Sequence, residues 1–503
     1  MKDSGTKGAV YKISLLGLIA MIFPSLYGIG NPQQAYYQMG YASIIYMIIG
    51  AIFFFIPYSF MVSEMGSAFK DNEGGIFIWM KHSVGEKYSM IVSMIWYAAQ
   101  LLWFVSVATT TWVTISTAIF GTDTTSTWHL FGLNSSKTLA ILGILLIIGL
   151  AIICGRGLKN LTFLSTVALI SMIVIHIVVI GGAILVFIMA GGHFAQPMIH
   201  SVKGVFVGPN PNYSTPLEVV AFFVFIVFDY GGMEVIAGLA DKVKNPHKNV
   251  PKGIIISTII ITGRMIGIVI FLGMYANWDK VLGGSGVNLA NYSVYLTDNL
   301  GVKIGDALGM NATASAALGL WLNRILSWSV VVSLAILPLR VFSPIQQLFR
   351  GVPKGVFPEK LAKENKHGVA MNAVWLQTAI VCFIVFLLGF TTSGSSSSLY
   401  NTVVLIMTVA MTVPYFFIVV TYIKFKKNKN IKKSYEFYSV KSGLFWGFIA
   451  AAVLGFANLF AIIQPALSGN ISSSIWLVSG PVIFGFIGWI LYSRYKRKMS
   501  NSK

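Results

Sequence analysis

Long apolar runs separated by short polar stretches dominate the chain. Thr138–Cys154, Leu161–Ala190 and Gly253–Tyr275 are each long enough for the roughly 17–25 residues that a helix needs to cross a bilayer core. Read this way, the pattern predicts twelve spans, at about 13–38, 41–67, 88–120, 138–155, 161–190, 215–239, 251–275, 317–349, 371–390, 399–424, 441–463 and 474–493. The first stretch runs past the roughly 7–15 apolar residues of a cleavable signal and shows no small-residue cleavage site, so it is expected to stay as a span. The predicted fold class is an all-α polytopic membrane protein. Residues 1–12 form a tail, 13–493 a single transmembrane unit and 494–503 a basic tail.

Composition supports that pattern. Of 503 residues, 56% are hydrophobic and 10% charged, against roughly 25% charged in soluble domains. Mean hydropathy is +0.76. The net charge of +20 changes the picture through its placement. Lys and Arg fall mostly in alternate connections, among them Lys70–Lys87, Lys242–Lys252, Arg350–Lys366 and Lys424–Lys441. The opposite connections hold only Lys137, Lys203, Lys280 and Lys303. By the positive-inside rule both termini are expected to face the cytoplasm, in a cell membrane. The charge therefore speaks for topology and attraction to inner-leaflet lipid, with no nucleic-acid partner. Cys154 and Cys382 lie in apolar segments and build no disulfide or metal framework. The run Lys424–Lys433 reads as a solvated loop, and Ala276–Ala316 as a longer outer segment holding either surface helices or a lid.

Two spans break the apolar rule. The first reads Phe23-Pro24-Ser25-Leu26-Tyr27-Gly28-Ile29-Gly30-Asn31-Pro32, and the sixth Phe228-Asp229-Tyr230-Gly231-Gly232-Met233-Glu234. Pro removes a backbone donor and Gly removes helix preference. Kinked helices packed through small residues would account for either break alone. Two breaks five spans apart predict an inverted repeat of five helices with discontinuous first and sixth members. The halves would cover about 13–190 and 215–424, with two extra helices at about 441–493. Half-helices expose N–H groups that attract a carboxylate and C=O groups that accept an ammonium. A zwitterionic amino acid carries both. Ser25, Tyr27, Gly28, Gly30, Phe228, Asp229, Tyr230, Gly231 and Gly232 are the candidate substrate-binding residues.

These residues also carry a resemblance. Phe55-Ile56-Pro57, Ser63-Glu64-Met65-Gly66 and Glu73-Gly74-Gly75-Ile76-Phe77-Ile78-Trp79 form one motif. Tyr230-Gly231-Gly232-Met233-Glu234 with Lys244-Asn245-Pro246-His247-Lys248-Asn249-Val250-Pro251 forms a second, and Ser343-Pro344 with Pro358 a third. Over nearly its whole length the chain resembles an amino acid–polyamine–organocation permease of the glutamate/GABA antiporter branch. The resemblance implies a LeuT-like fold and alternating access. It also implies a gating, proton-binding or helix-end role for Glu234, and a part for Glu64 in the inner gate. The exchangers' Tyr-Glu-Tyr-Pro type of sequence is replaced here by Pro24-Ser25-Leu26-Tyr27, which leaves the substrate pair open.

Charges inside spans need partners. Arg264 lies 13 residues past Pro251, and Arg340 ten residues before Arg350, roughly 20 and 15 Å along a helix. Asp229 is the economical partner of Arg264, with Glu234 or a substrate carboxylate left for Arg340. Arg324 is expected to snorkel outward, and Glu64 to help a gate or face the interface. The sequence thus predicts a secondary amino-acid transporter, in the first instance an antiporter. Proton-coupled amino-acid or amine uptake, and exchange of an amino acid for its decarboxylated amine, stand as alternatives within transport. A channel fits an occluded midplane site poorly. No nucleotide-binding, HExxH or GxSxG motif is present, so no enzyme, cofactor or metal is expected. Oligomeric state is not legible.

Overall fold

The structure, a computed structural model, describes residues 13–25, 30–69, 75–155, 161–199, 201–234, 243–391 and 395–501. Among these residues the secondary structure is helical, with two isolated bridges, Ile13–Val243 and Leu130–Leu133, and no strand. Nine described helical segments are long and apolar enough to cross a membrane. They correspond to the second, third, fourth and seventh to twelfth expected spans. The fifth is the helix Leu161–Met189, and the first and sixth are the two interrupted ones.

The first span is helical over Leu15–Ser25 and again over Asn31–Met39. Tyr27 and Gly28 lie outside the described residues, and only the backbone of Ser25 is described. Gly30 caps the second half-helix, and Pro32 sits in its first turn, where a missing N–H costs no helical bond. Every residue from Pro32 to Met39 is buried, although the segment is largely polar. It stops at Gly40, whose φ of 55° and ψ of −139° suit only glycine; a Cβ there would stand 2.9 Å from Pro209. The outer end of this half-helix is tied to its surroundings. Trp278 Nε1 donates to the Tyr37 carbonyl at 2.9 Å, Asn210 Nδ2 to the same oxygen at 3.1 Å, and Tyr36 Oη to the Ala276 carbonyl at 2.7 Å.

The sixth span starts with a full capping box, in which Thr215 and Glu218 satisfy each other's backbone donors around Pro216. The helix Pro216–Asp229 ends where the Gly pair begins, and Gly232 has a φ of 114°. A helical residue returns at Glu234. The interruption expected at the Gly pair of the sixth span is therefore present in the backbone, while that of the first span falls on residues 26–29, outside the described residues.

Two spans depart from the expected continuous helices. The second runs Ser43–Gly50 and Ile56–Ala68, joined by a π turn at Ala51–Phe55. The eighth, expected as one helix over 317–349, is Ala312–Ser333, a 3₁₀ turn at Leu334–Ile336, and Leu337–Gly351. Pro338 has no N–H for the Leu334 carbonyl, so the turn tightens ahead of it.

The segment 276–316, expected on the outer side from the distribution of Lys and Arg, resolves into helices. Tyr292–Ala307 packs against the eighth span through glycines, with Leu296 and Leu300 fully buried. A Cβ on Gly301 would meet the Gly319 Cα at 2.6 Å, and one on Gly305 the Ser315 Cα at 2.7 Å. Backbone-to-backbone approach of this kind admits no side chain. Gly301→Leu is expected to lower the stability of the purified protein by about 1–3 kcal/mol or more through overpacking. A melting temperature unchanged from wild type would show that the two helices separate without cost.

Candidate functional site at the two helix breaks

Asn31 opens the outer half of the first span, and Asp229 closes the outer half of the sixth. The Asn31 side-chain amide donates to Asp229 Oδ1, joining the two breaks directly. Asp229 is 2% exposed, and its second oxygen, Oδ2, accepts no hydrogen bond from a described residue. A carboxylate at a helix C-terminus also opposes the helix dipole, so this one calls for a cation or a proton. Arg264 on the seventh span lies within Coulombic reach of Asp229 and Tyr230. The ion pairs among the described residues do not include Asp229 with Arg264. The direct contact of Asp229 is Asn31, a residue the sequence reading passed over.

Tyr292 reaches into the same place from the outer helix. Its hydroxyl donates to the Gly30 carbonyl at 3.2 Å, and its ring stacks on Tyr37 with centroids 5.5 Å apart. Tyr230 is fully buried. Its hydroxyl lies 3.0 Å from the Met47 carbonyl and 2.8 Å from Thr262 Oγ1, and its ring stacks on Phe55 at 5.1 Å. That places it as an anchor holding the sixth span against the second and seventh. Phe228 is half-buried and packs beside Phe225.

Below the break, Gly231 faces Tyr415 of the tenth span so closely that a Cβ would come within 2.2 Å of its hydroxyl. Tyr415 packs edge-on against Tyr58 at 5.3 Å, and Tyr58 stacks on Phe54 of the π turn at 5.2 Å. The Tyr58 hydroxyl donates to Glu234 Oε2 at 3.2 Å. Glu234 thus sits at the restart of the sixth helix, under an aromatic cluster from the second and tenth spans.

The other predicted charges lie elsewhere. Arg340 places its guanidinium over the Trp103 ring, 5.7 Å from the centroid, rather than in an ion pair with Glu234. Arg324 donates to the Phe120 carbonyl at 3.1 Å and lies over Trp321, capping the outer end of the third span.

Glu64 is wholly buried, which sets aside the alternative of a carboxylate facing the interface. One oxygen accepts from Tyr422 Oη and Lys426 Nζ, each at 2.9 Å; the other accepts from the Phe437 and Tyr438 backbone N–H groups, each at 2.7 Å. Lys426 also bonds Glu436 at 2.9 Å. The reading of Lys424–Lys433 as a solvated loop is therefore corrected at its start. The tenth helix continues to Lys427, and Lys426 is 1% exposed because two carboxylates compensate it. The cluster fastens the second span, the tenth span and the chain ahead of the eleventh to one another. Its sequence signal was an acid, Glu436, among lysines, with Lys426 one turn after Tyr422.

Known proteins bear on this arrangement. Residues 13–492 match the family described as amino acid permease. The chain belongs to that family. It is 34% identical over 496 residues to the inner membrane transporter YjeM of Salmonella typhimurium, covering 98% of each chain. It is 23% identical over 441 residues to the aspartate/glutamate permease AcaP of Lactococcus lactis, covering 86% of this chain and 83% of AcaP. It is likewise 23% identical over 402 residues to a glutamate/gamma-aminobutyrate antiporter of Lactococcus lactis, with 78% and 72% covered. This permease is accordingly a multi-pass membrane protein of amino-acid transport, and its substrates are small molecules of the amino-acid or amine class.

Breaking a buried ion pair by removing one partner costs about 3–5 kcal/mol, whereas replacing both with apolar groups is often neutral. Glu64→Gln and Lys426→Met are each expected to reduce the yield and melting temperature of the permease. The double variant is expected to recover part of the loss. Equal losses in single and double variants would show that the backbone bonds at Phe437 and Tyr438, rather than the ion pair, carry the cluster.

Proposed function

We propose that this permease is a secondary active amino-acid antiporter working by alternating access, with its substrate bound between the two helix breaks. The single observation that supports this most is the Asn31–Asp229 bond, with one oxygen of a buried carboxylate left over beside it. Each break offers one helix C-terminus, rich in carbonyls, and one N-terminus, rich in N–H groups. At the first these are Ser25 and Gly30–Asn31; at the sixth, Asp229 and Glu234. The substrate ammonium takes the carbonyl ends and Asp229, and its carboxylate takes the Gly30–Asn31 end. Phe228 and Gly232 complete the lining among the described residues, while Tyr27 and Gly28, expected there from the sequence, lie outside them.

Closure at the outer side uses Tyr292 on Gly30, and at the inner side Tyr58 on Glu234 with the Glu64–Lys426 cluster below. The two five-span halves are the repeats that rock about this site, and spans eleven and twelve lie outside them. Both termini face the cytoplasm, in line with the distribution of Lys and Arg. A relative named as an antiporter supports exchange as the mode. The unbonded Asp229 oxygen favours proton-coupled uptake as a second reading, because a carboxylate at that position can carry a proton in the absence of a substrate cation.

Reconstituted into vesicles, the permease is expected to take up labelled amino acid in proportion to unlabelled amino acid trapped inside. Uptake that follows an imposed pH gradient with empty vesicles instead selects the second reading, and conductance without counterflow defeats both. Asp229→Asn is expected to fold normally and lose at least about tenfold in transport, the value of a lost charged hydrogen bond. Normal transport by that variant removes Asp229 from the site. Cysteines introduced at Asn249 and Ser500, with Cys154 and Cys382 replaced, are expected to resist a membrane-impermeant thiol reagent added outside intact cells. Labelling of either inverts the orientation.

A further inference from the structure

A second cavity lies away from the helix breaks. It has a volume of about 390 Å³ and is formed by the outer halves of the first and sixth spans together with the tenth, eleventh and twelfth. Gln38 and Glu218 contribute its polar wall from the two half-helices, and Phe222, Phe225, Leu405 and Leu477 contribute apolar walls. Gln38 lies seven residues beyond Asn31 and Glu218 eleven before Asp229, about 10 and 16 Å along their helices, so this cavity is distinct from the central site.

Its chemistry has one sign. None of the residues lining it is Lys, Arg or His. Glu218 directs Oε2 to the backbone N–H groups of Ser214 and Thr215, while its other oxygen takes no part in the capping box. Gln38 is 2% exposed and gives its amide to Tyr213 Oη at 2.7 Å, yet its Oε1 accepts no bond from a described residue. A half-buried carboxylate, a surplus amide acceptor and phenyl faces together suit a cation with a short hydrocarbon tail. An anion finds no charged donor here.

We propose that this outer cavity binds a small primary alkylammonium as a site separate from the central one. The ammonium sits at Glu218 and its tail lies between Phe222, Phe225 and Leu477. Occupancy ties the outer half-helices of the first and sixth spans to the tenth, eleventh and twelfth, and so slows the opening of the outer side. The proposal holds whatever the central substrate is.

The test uses the purified full chain and butylammonium, with 1-butanol as a probe of the same tail and butyrate as one of a tail shorter by one carbon, both without the positive charge. Calorimetry is expected to show butylammonium binding that weakens at least about tenfold in Glu218→Gln. Gln preserves the capping box, so this variant is expected to keep the wild-type melting temperature. Ala461→Phe, which fills the cavity from the eleventh span, is expected to abolish binding, and Asp229→Asn to leave it intact. Butylammonium is also expected to lower the maximal transport rate without changing KM. Binding that survives both Glu218→Gln and Ala461→Phe, that disappears in Asp229→Asn, or that butyrate or butanol matches, overturns the proposal. Loss in Asp229→Asn alone would assign the amine to the central site, which separates failure of this proposal from failure of the central reading.

Discussion

A helix that stops inside hydrocarbon must find partners for the carbonyl and N–H groups it abandons, because no lipid can supply them. This permease faces that constraint at its helix breaks, and at the sixth span the Tyr230 and Gly231 N–H groups turn back onto the Ile226 and Phe228 carbonyls. Side chains then tie the break residues across the bundle: Tyr292 donates to the Gly30 carbonyl, Asn31 to the Asp229 carboxylate, and Tyr58 to the Glu234 carboxylate. Each of these partners comes from a different span or from the outer segment, so the interruptions bind the bundle together. The aromatic residues around them are correspondingly engaged. Tyr230 packs between the second and seventh spans, and Tyr415 closes over Gly231 with no room for a methyl group.

Charge is distributed unevenly along the membrane normal. The centre holds a sparse set, with one oxygen of Asp229 unbonded among the described residues. The Glu64–Lys426–Glu436 cluster is saturated, with four donors on a single carboxylate. A saturated cluster resists change, and a sparse one accepts a ligand. The contrast separates a region whose polar groups are fully engaged from one that has a carboxylate oxygen to spare.

The spans were legible because lipid forces long apolar runs, and the breaks because Gly and Pro cannot be hidden in them. Side-chain partners were less legible. Asp229 was expected to partner Arg264, on the neighbouring span and within Coulombic reach of it; the hydrogen bond it accepts from Asn31, 198 residues away, was not foreseen. Nothing local in either residue announces the other; only the meeting of the first and sixth spans brings them together. Lys426 was misread because a run of lysines looks uniformly solvated, whereas helical periodicity turns one of them inward with Tyr422. The eighth span was read as one helix because Pro338 and Pro344 lie in an otherwise apolar pattern that does not record curvature.

The π turn at Ala51–Phe55 has a consequence for register. A π turn holds about one residue more than an α turn, so everything after it is rotated by roughly 100° relative to an unbroken helix. Tyr58 and Glu64 both follow it. Their facing toward Glu234 and Lys426 is therefore a phase set upstream, in the stretch Ala51–Phe55. The helix works there as a keyed shaft: a single surplus residue decides which side chains its inner half presents to the rest of the bundle.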